Sequence, residues 1–222
     1  MIDIFNTTFF ITLIVLLGSV FITREIVTYK GIRSLKYIFT PTITLLITLI
    51  CVFSLNGGTI DRFKLFIVIG LLLSLIADTL LMIEEVDLMK YGIIFFLLAH
   101  ISYIISFTSF FTIQLWNIIP FIVVFGGIAL VFKKIKGKTD GMDIPILVYS
   151  LILGAMVFTA FILLNLDGSI NTVFIVSGAV LFLVSDVILA VNGFVKEVPK
   201  ASVIVWSFYA PAQLLIALSC FR

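Results

Sequence analysis

The hydrophobic residues of this chain fall into eight long runs, each close to the roughly 20 mostly apolar residues that a helix needs to cross a bilayer. The runs lie near residues 5–23, 38–55, 64–83, 92–111, 117–132, 144–164, 172–193 and 202–220. Short connections that are polar or carry glycine separate them, such as Thr28-Tyr-Lys-Gly-Ile-Arg33, Asn56-Gly-Gly-Thr59 and Lys133-Lys-Ile-Lys-Gly-Lys138. The runs are continuous, without the apolar-polar alternation of a barrel strand. The pattern predicts an all-α membrane helix bundle of about eight transmembrane helices, one integral membrane domain over residues 1–222.

Composition narrows the picture. The chain is 62% hydrophobic and 12% charged, about half the charged fraction of a soluble domain. A separate soluble domain does not fit into what remains. The net charge of +2 is small and spread out, so no nucleic-acid partner is expected. Cys51 and Cys220 each sit in an apolar run, with no CxxC and no Cys/His cluster. Neither a zinc site nor a disulfide framework is indicated. Asp3 stands where a signal peptide would be basic, and the first cation, Arg24, follows the first apolar run. That run is expected to be a retained span.

The cations then orient the bundle. With the N-terminus outside, the inner side holds Arg24, Lys30, Arg33, Lys36, Lys90, Lys133, Lys134, Lys136, Lys138, Lys196 and Lys200. The outer side holds Arg62, Lys64 and Arg222. Eleven against three predicts both termini outside, and the cell (plasma or inner) membrane is the expected location.

Two spans each contain a lone aspartate. The first reads Gly70-Leu-Leu-Leu-Ser-Leu-Ile-Ala-Asp78, and the second Gly178-Ala-Val-Leu-Phe-Leu-Val-Ser-Asp186. A charge near the bilayer centre costs about 2.5–3.5 kcal/mol on insertion scales, and such a group usually works on protons, ions or substrate. Both aspartates fall in the inner half of their spans. Aligned at an offset of 108, the segments share five identities in fourteen, and the spans that follow also echo each other. This suggests a parallel four-plus-four internal repeat.

Span four puts Gly92, Phe96, His100, Tyr103 and Phe107 on one helical face. His100 is the single histidine. Span eight carries Trp206, Tyr209 and Gln213, the last two sharing a face, with Pro211 between them loosening the helix. Ser74 lies one turn before Asp78, and Ser185 adjoins Asp186. These polar side chains are candidates to line a site, although interhelical hydrogen bonding also uses them. Two carboxyls brought together inside a membrane can share one proton, one then serving as acid and the other as base. The cluster Glu84, Glu85 and Asp87 reads as a solvated helix end, and Lys133 to Lys138 as a topology signal and a contact for anionic lipid.

The ordered set Asp78-x-x-Leu81, Gly92-x3-Phe96-x3-His100-x2-Tyr103-x3-Phe107, Ser185-Asp186-x-x-Leu189 and Tyr209-x2-Ala212-Gln213-Leu-Leu-Ile216 resembles the YhhN-like lysoplasmalogenase family of eight-span membrane proteins. The likeness runs over about residues 36 to 219. Two positions depart from it: Ala77 stands where the family often has Gly, and Thr40, not a lysine, precedes Pro41, with Lys36 about one turn earlier. The resemblance implies hydrolysis of the vinyl-ether bond of a lysophospholipid, releasing a fatty aldehyde and a glycerophospho-choline or -ethanolamine. It implies Asp78 and Asp186 as the catalytic pair, without assigning acid and base. His100, Tyr103, Tyr209, Gln213, Ser74 and Ser185 would surround the substrate.

The chemistry fits the residues. Protonation of a vinyl ether at its β carbon gives an oxocarbenium ion, which water then traps. The step needs a carboxylic acid and a nearby anion, and calls for no metal or cofactor. No G-x-S-x-G and no Walker loop appears. Two other functions use the same features: a proton-coupled transporter of a small or amphipathic solute, and a non-catalytic lipid-binding membrane protein.

Overall fold

The computed structural model describes residues 2–54, 61–83, 88–108 and 114–221, with side chains from residue 7 onward except that of residue 167. Among these residues there are eight long α-helices and no strand. They are α1 (Ile2–Tyr29), α2 (Arg33–Phe53), α3 (Arg62–Met82), α4 (Met89–Phe107), α5 (Ile118–Ile135), α6 (Asp143–Asp167), α7 (Ile170–Phe194) and α8 (Ala201–Leu218). All eight are long and apolar enough to cross a membrane, and the protein is an integral membrane protein. The expected spans each coincide with one helix. The first and fifth helices run several residues further than their apolar runs, because Arg24 and Lys133 are accommodated in helical turns. Two expected features, the Asn56–Thr59 connection and the Glu84, Glu85, Asp87 cluster, lie outside the described residues.

Local chemistry sets several helix ends. The Asp61 side chain accepts from the Lys64 backbone N–H at 2.8 Å and caps α3. Ser169 caps α7 in the same way. Gly168 ends α6 in a left-handed conformation, φ +63°. In the α5–α6 connection, Asp143 accepts from the Gly137 N–H and the Thr139 hydroxyl.

The two halves of the chain use the same neighbour relations. In each, the helices pack in sequence: α1 on α2, α2 on α3 and α3 on α4, then α5 on α6, α6 on α7 and α7 on α8. The halves meet through α4 against α6 and α2 against α8, which are equivalent pairings under exchange of the halves. The matched glycines explain the tightest seams. A Cβ on Gly70 would fall 2.3 Å from the Tyr103 ring of α4, and one on Gly178 would fall 2.8 Å from the Ala212 carbonyl oxygen of α8. Close approach of this kind is how small residues hold membrane helices together. Polar ties add to it: Ser102 and Ser106 of α4 donate to the Phe66 and Phe63 carbonyls of α3, both at 2.8 Å.

The core is built from Ile43, Ile47, Ile50, Leu71, Phe182, Ala212 and their neighbours. Cys51 and Cys220 are buried thiols whose sulfurs lie 3.5 Å apart. Arg24, which the sequence placed among the inner-loop cations, is instead inside α1 and fully buried.

Candidate active site

Both aspartates project from the C-terminal halves of their helices into one cavity of about 340 Å³. Its wall also includes Lys36 and Thr40 of α2, Phe96 of α4, Ser185 and Asn192 of α7, and Ser202, Trp206 and Tyr209 of α8. A second cavity, of about 580 Å³, lies beside it between α3, α4, α5, α6 and α7. Its wall is mostly apolar, with Ile93, Ile128, Phe132, Ile146, Leu153 and Leu183 prominent. The two cavities share Leu81, Phe96, Asp186, Leu189 and Asn192. Asp186 therefore faces both, while Asp78 faces only the more polar one.

Each carboxyl is held by hydroxyls from neighbouring helices. Asp78 is 6% exposed. Its Oδ2 accepts from Thr44 Oγ1 of α2 at 2.6 Å and from the Tyr209 hydroxyl of α8 at 2.8 Å. The Tyr209 oxygen accepts in turn from Gln213 Nε2 at 3.0 Å, and Gln213 Oε1 accepts from the Tyr103 hydroxyl at 2.7 Å. This chain of bonds runs across α2, α3, α4 and α8 and fixes the Asp78 oxygen in one place. Half-buried Asp186 accepts through Oδ2 from the Tyr149 hydroxyl of α6. Ser185 Oγ, bonded to the Phe182 carbonyl at 2.7 Å, lies 3.3 Å from Asp186 Oδ1. One anchor of each aspartate comes from an equivalent helix, α2 for Asp78 and α6 for Asp186, and Asp78 has a further one from α8.

The structure sorts the expected residues into two sets. Asp78, Asp186, Ser185 and Tyr209 line the shared cavity. Tyr103, Gln213 and Ser74 stand behind it. Tyr103 and Gln213 hold Tyr209, and the fully buried Ser74 hydroxyl lies beside the Tyr103 phenol without a bond of good geometry. His100 does not line either cavity. It is fully buried in a cage of Phe96, Tyr149 and Phe182, with ring centroids 4.7 Å from Phe182 and 5.3 Å from Tyr149. Neither of its nitrogens has a hydrogen bond of good geometry. Two anchors were not anticipated. Thr44 belongs to a stripe of buried threonines, Thr40, Thr44 and Thr48, spaced four apart on α2, a signal that was readable. Tyr149 is a single tyrosine in an apolar span and carries no such pattern.

A polytopic helix bundle with two hydroxyl-anchored carboxyls on one cavity is the class that fold and site define. The YhhN family model matches residues 35–220, and the chain belongs to that family. Curated relatives include Lysoplasmalogenase TMEM86A of Bos taurus, 30% identical over 158 residues, 69% of this chain and 64% of the relative. The Lysoplasmalogenase of Mycobacterium bovis is 30% identical over 169 residues, 73% of this chain and 62% of the relative. Lysoplasmalogenase TMEM86B of Mus musculus is 39% identical over 83 residues, 37% of this chain and 33% of the relative. The matched region thus spans between a third and just under two thirds of these relatives. No solved structure matches the chain significantly.

Proposed function

We propose that this protein is a lysoplasmalogenase, an intramembrane hydrolase of the vinyl-ether bond of a lysophospholipid. The observation that carries the reading is the meeting of the two cavities at Asp186. A lysoplasmalogen has one hydrocarbon chain, a head group, and the scissile bond where they join. The apolar cavity suits the chain, and its size falls within the ordinary range of ligand pockets, about 300–1,000 Å³. The cavity lined by Lys36, Ser202 and Asn192 suits the glycerophosphate end. The vinyl ether then lies beside Asp186. The curated relatives that carry the name lysoplasmalogenase support the same reading.

The reaction follows from that placement. The β carbon of the vinyl ether is on the chain side of the ether oxygen, so the group that borders the apolar cavity is the proton donor, Asp186. Transfer of its proton to the β carbon draws the π electrons into the new C–H bond, and the ether oxygen shares a lone pair with the electron-poor adjacent carbon to give an oxocarbenium ion. Asp78, fixed by Thr44 and Tyr209 on the head-group side, stabilises that cation and takes a proton from the incoming water. The hemiacetal collapses as its C–O bond to glycerol breaks: Asp78 gives its proton to the departing glycerol oxygen, the hydroxyl proton returns to Asp186, and aldehyde and alcohol are released with both carboxyls restored. By the distribution of lysines, the cavities open toward the inner side, next to Lys133 to Lys138, and both termini lie outside.

The test is aldehyde release by the purified protein in detergent. Wild type should release aldehyde from a vinyl-ether lysolipid and none from its saturated ether analogue. Asp78→Asn and Asp186→Asn should each abolish release while remaining folded. A folded wild type that forms no product, but moves solute with a proton gradient, would establish the transporter instead.

A further inference from the structure

Arg24 is a fully buried cation on α1, within a span and outside the family-matched segment 35–220. A buried intramembrane arginine is rare and ordinarily serves a function. Its contacts lead toward the site. Its guanidinium donates to Glu25 Oε1 at 2.7 Å, which balances its charge locally. It donates also to the Ser202 carbonyl at 3.1 Å and the Ser202 hydroxyl at 2.9 Å. Its Cζ lies 4.5 Å from the centroid of the Trp206 ring, a cation–π contact. Ser202 and Trp206 both line the cavity that holds the two aspartates. Trp206 in turn meets Tyr209 edge-on at 4.9 Å, and the Tyr209 hydroxyl bonds Asp78.

We infer that Arg24 is a positioning residue for the active site, acting through Trp206 and Tyr209 on Asp78. This rests on the hydrolase reading given above. The planar guanidinium clamps Trp206 from the α1 side with its fork on Ser202, so one turn of α8 is held at the cavity wall. Lysine has neither the plane nor the fork and cannot replace both contacts. The first helix, which lies before the family-matched segment, is thereby made part of the working site.

The test uses a Trp116→Phe background. The chain has two tryptophans, and Trp116 is 72% exposed on the surface, so this change leaves Trp206 as the sole tryptophan, excited selectively at the red edge where tyrosine does not absorb. Arg24→Met and Arg24→Lys are compared by three readouts: kcat and KM on a vinyl-ether lysolipid, Trp206 emission, and its change on adding the uncleavable saturated ether lysolipid. The expected result is a shifted Trp206 emission and a fall in kcat of at least about tenfold for Arg24→Met, with a smaller fall for Arg24→Lys. Trp206→Phe should lower kcat similarly, and Arg24→Met should add little to it, because both act in one chain. Should Arg24→Met not fold, Arg24→Lys and Trp206→Phe carry the same comparison. Unchanged kcat in a folded Arg24 variant, or losses that simply multiply with Trp206→Phe, overturn the inference. A wild type that releases no aldehyde overturns the hydrolase reading, and the Arg24–Trp206 coupling is then judged by emission and ligand response alone.

Discussion

Two hydroxyls hold Asp78, and removing them one at a time tests what that grip contributes. Thr44→Val deletes the donor at 2.6 Å with almost no change of shape, and Tyr209→Phe deletes the donor at 2.8 Å. A hydrogen bond to a charged group is worth about 1.5–3 kcal/mol. Each factor of ten in rate corresponds to about 1.36 kcal/mol. If Asp78 carries its charge at the transition state, each variant should lose roughly tenfold to a hundredfold in kcat, with little change in KM. Tyr209→Phe should be the more severe, because it also leaves Gln213 Nε2 without its acceptor. Both bonds end on the same oxygen, so the double variant should fall short of the product of the single losses. The assay is steady-state aldehyde release, with thermal unfolding in the same detergent to show that each variant is folded. Both variants folded and within about threefold of wild type would refute the role given to Asp78, since the bonds would then be packing alone.

The geometry yields three more expectations. Tyr149→Phe removes the hydroxyl on Asp186 and should lower kcat more than it lowers binding of the saturated ether lysolipid, measured by competition. Leu153→Trp fills part of the apolar cavity and should move the preferred chain to fewer carbons, read by competing lysolipids of graded length. Gly178→Ala places a methyl 2.8 Å from the Ala212 carbonyl and should destabilise the bundle by about 1–3 kcal/mol, read as a lower unfolding temperature.

The apolar runs made the eight helices legible, since lipid leaves a backbone few other ways to satisfy its hydrogen bonds. The aspartates stood out because charge is expensive there, and the glycines matched with them in the repeat turn out to lie in the close α3–α4 and α7–α8 seams. What the runs do not encode is which helix faces which. Tyr149 bonds Asp186 only because α6 lies against α7, and nothing local to Tyr149 indicates that. His100 was a candidate for the site, and the structure places its ring among Phe96, Tyr149 and Phe182, a setting that its face on α4 does not reveal. Arg24 looked like a loop cation because it follows an apolar run. Helical continuation to Tyr29 buries it instead. Periodicity reports a residue's face on its own helix, while burial depends on the partner helix.

The most direct test of the account is hydrolysis of a vinyl-ether lysolipid in heavy water, with the aldehyde trapped at once and weighed by mass spectrometry. Proton transfer from Asp186 to the β carbon predicts one deuterium at carbon 2 of the aldehyde in wild type and no aldehyde from Asp186→Asn. Aldehyde without deuterium at carbon 2, or deuterated aldehyde still formed by Asp186→Asn, contradicts it.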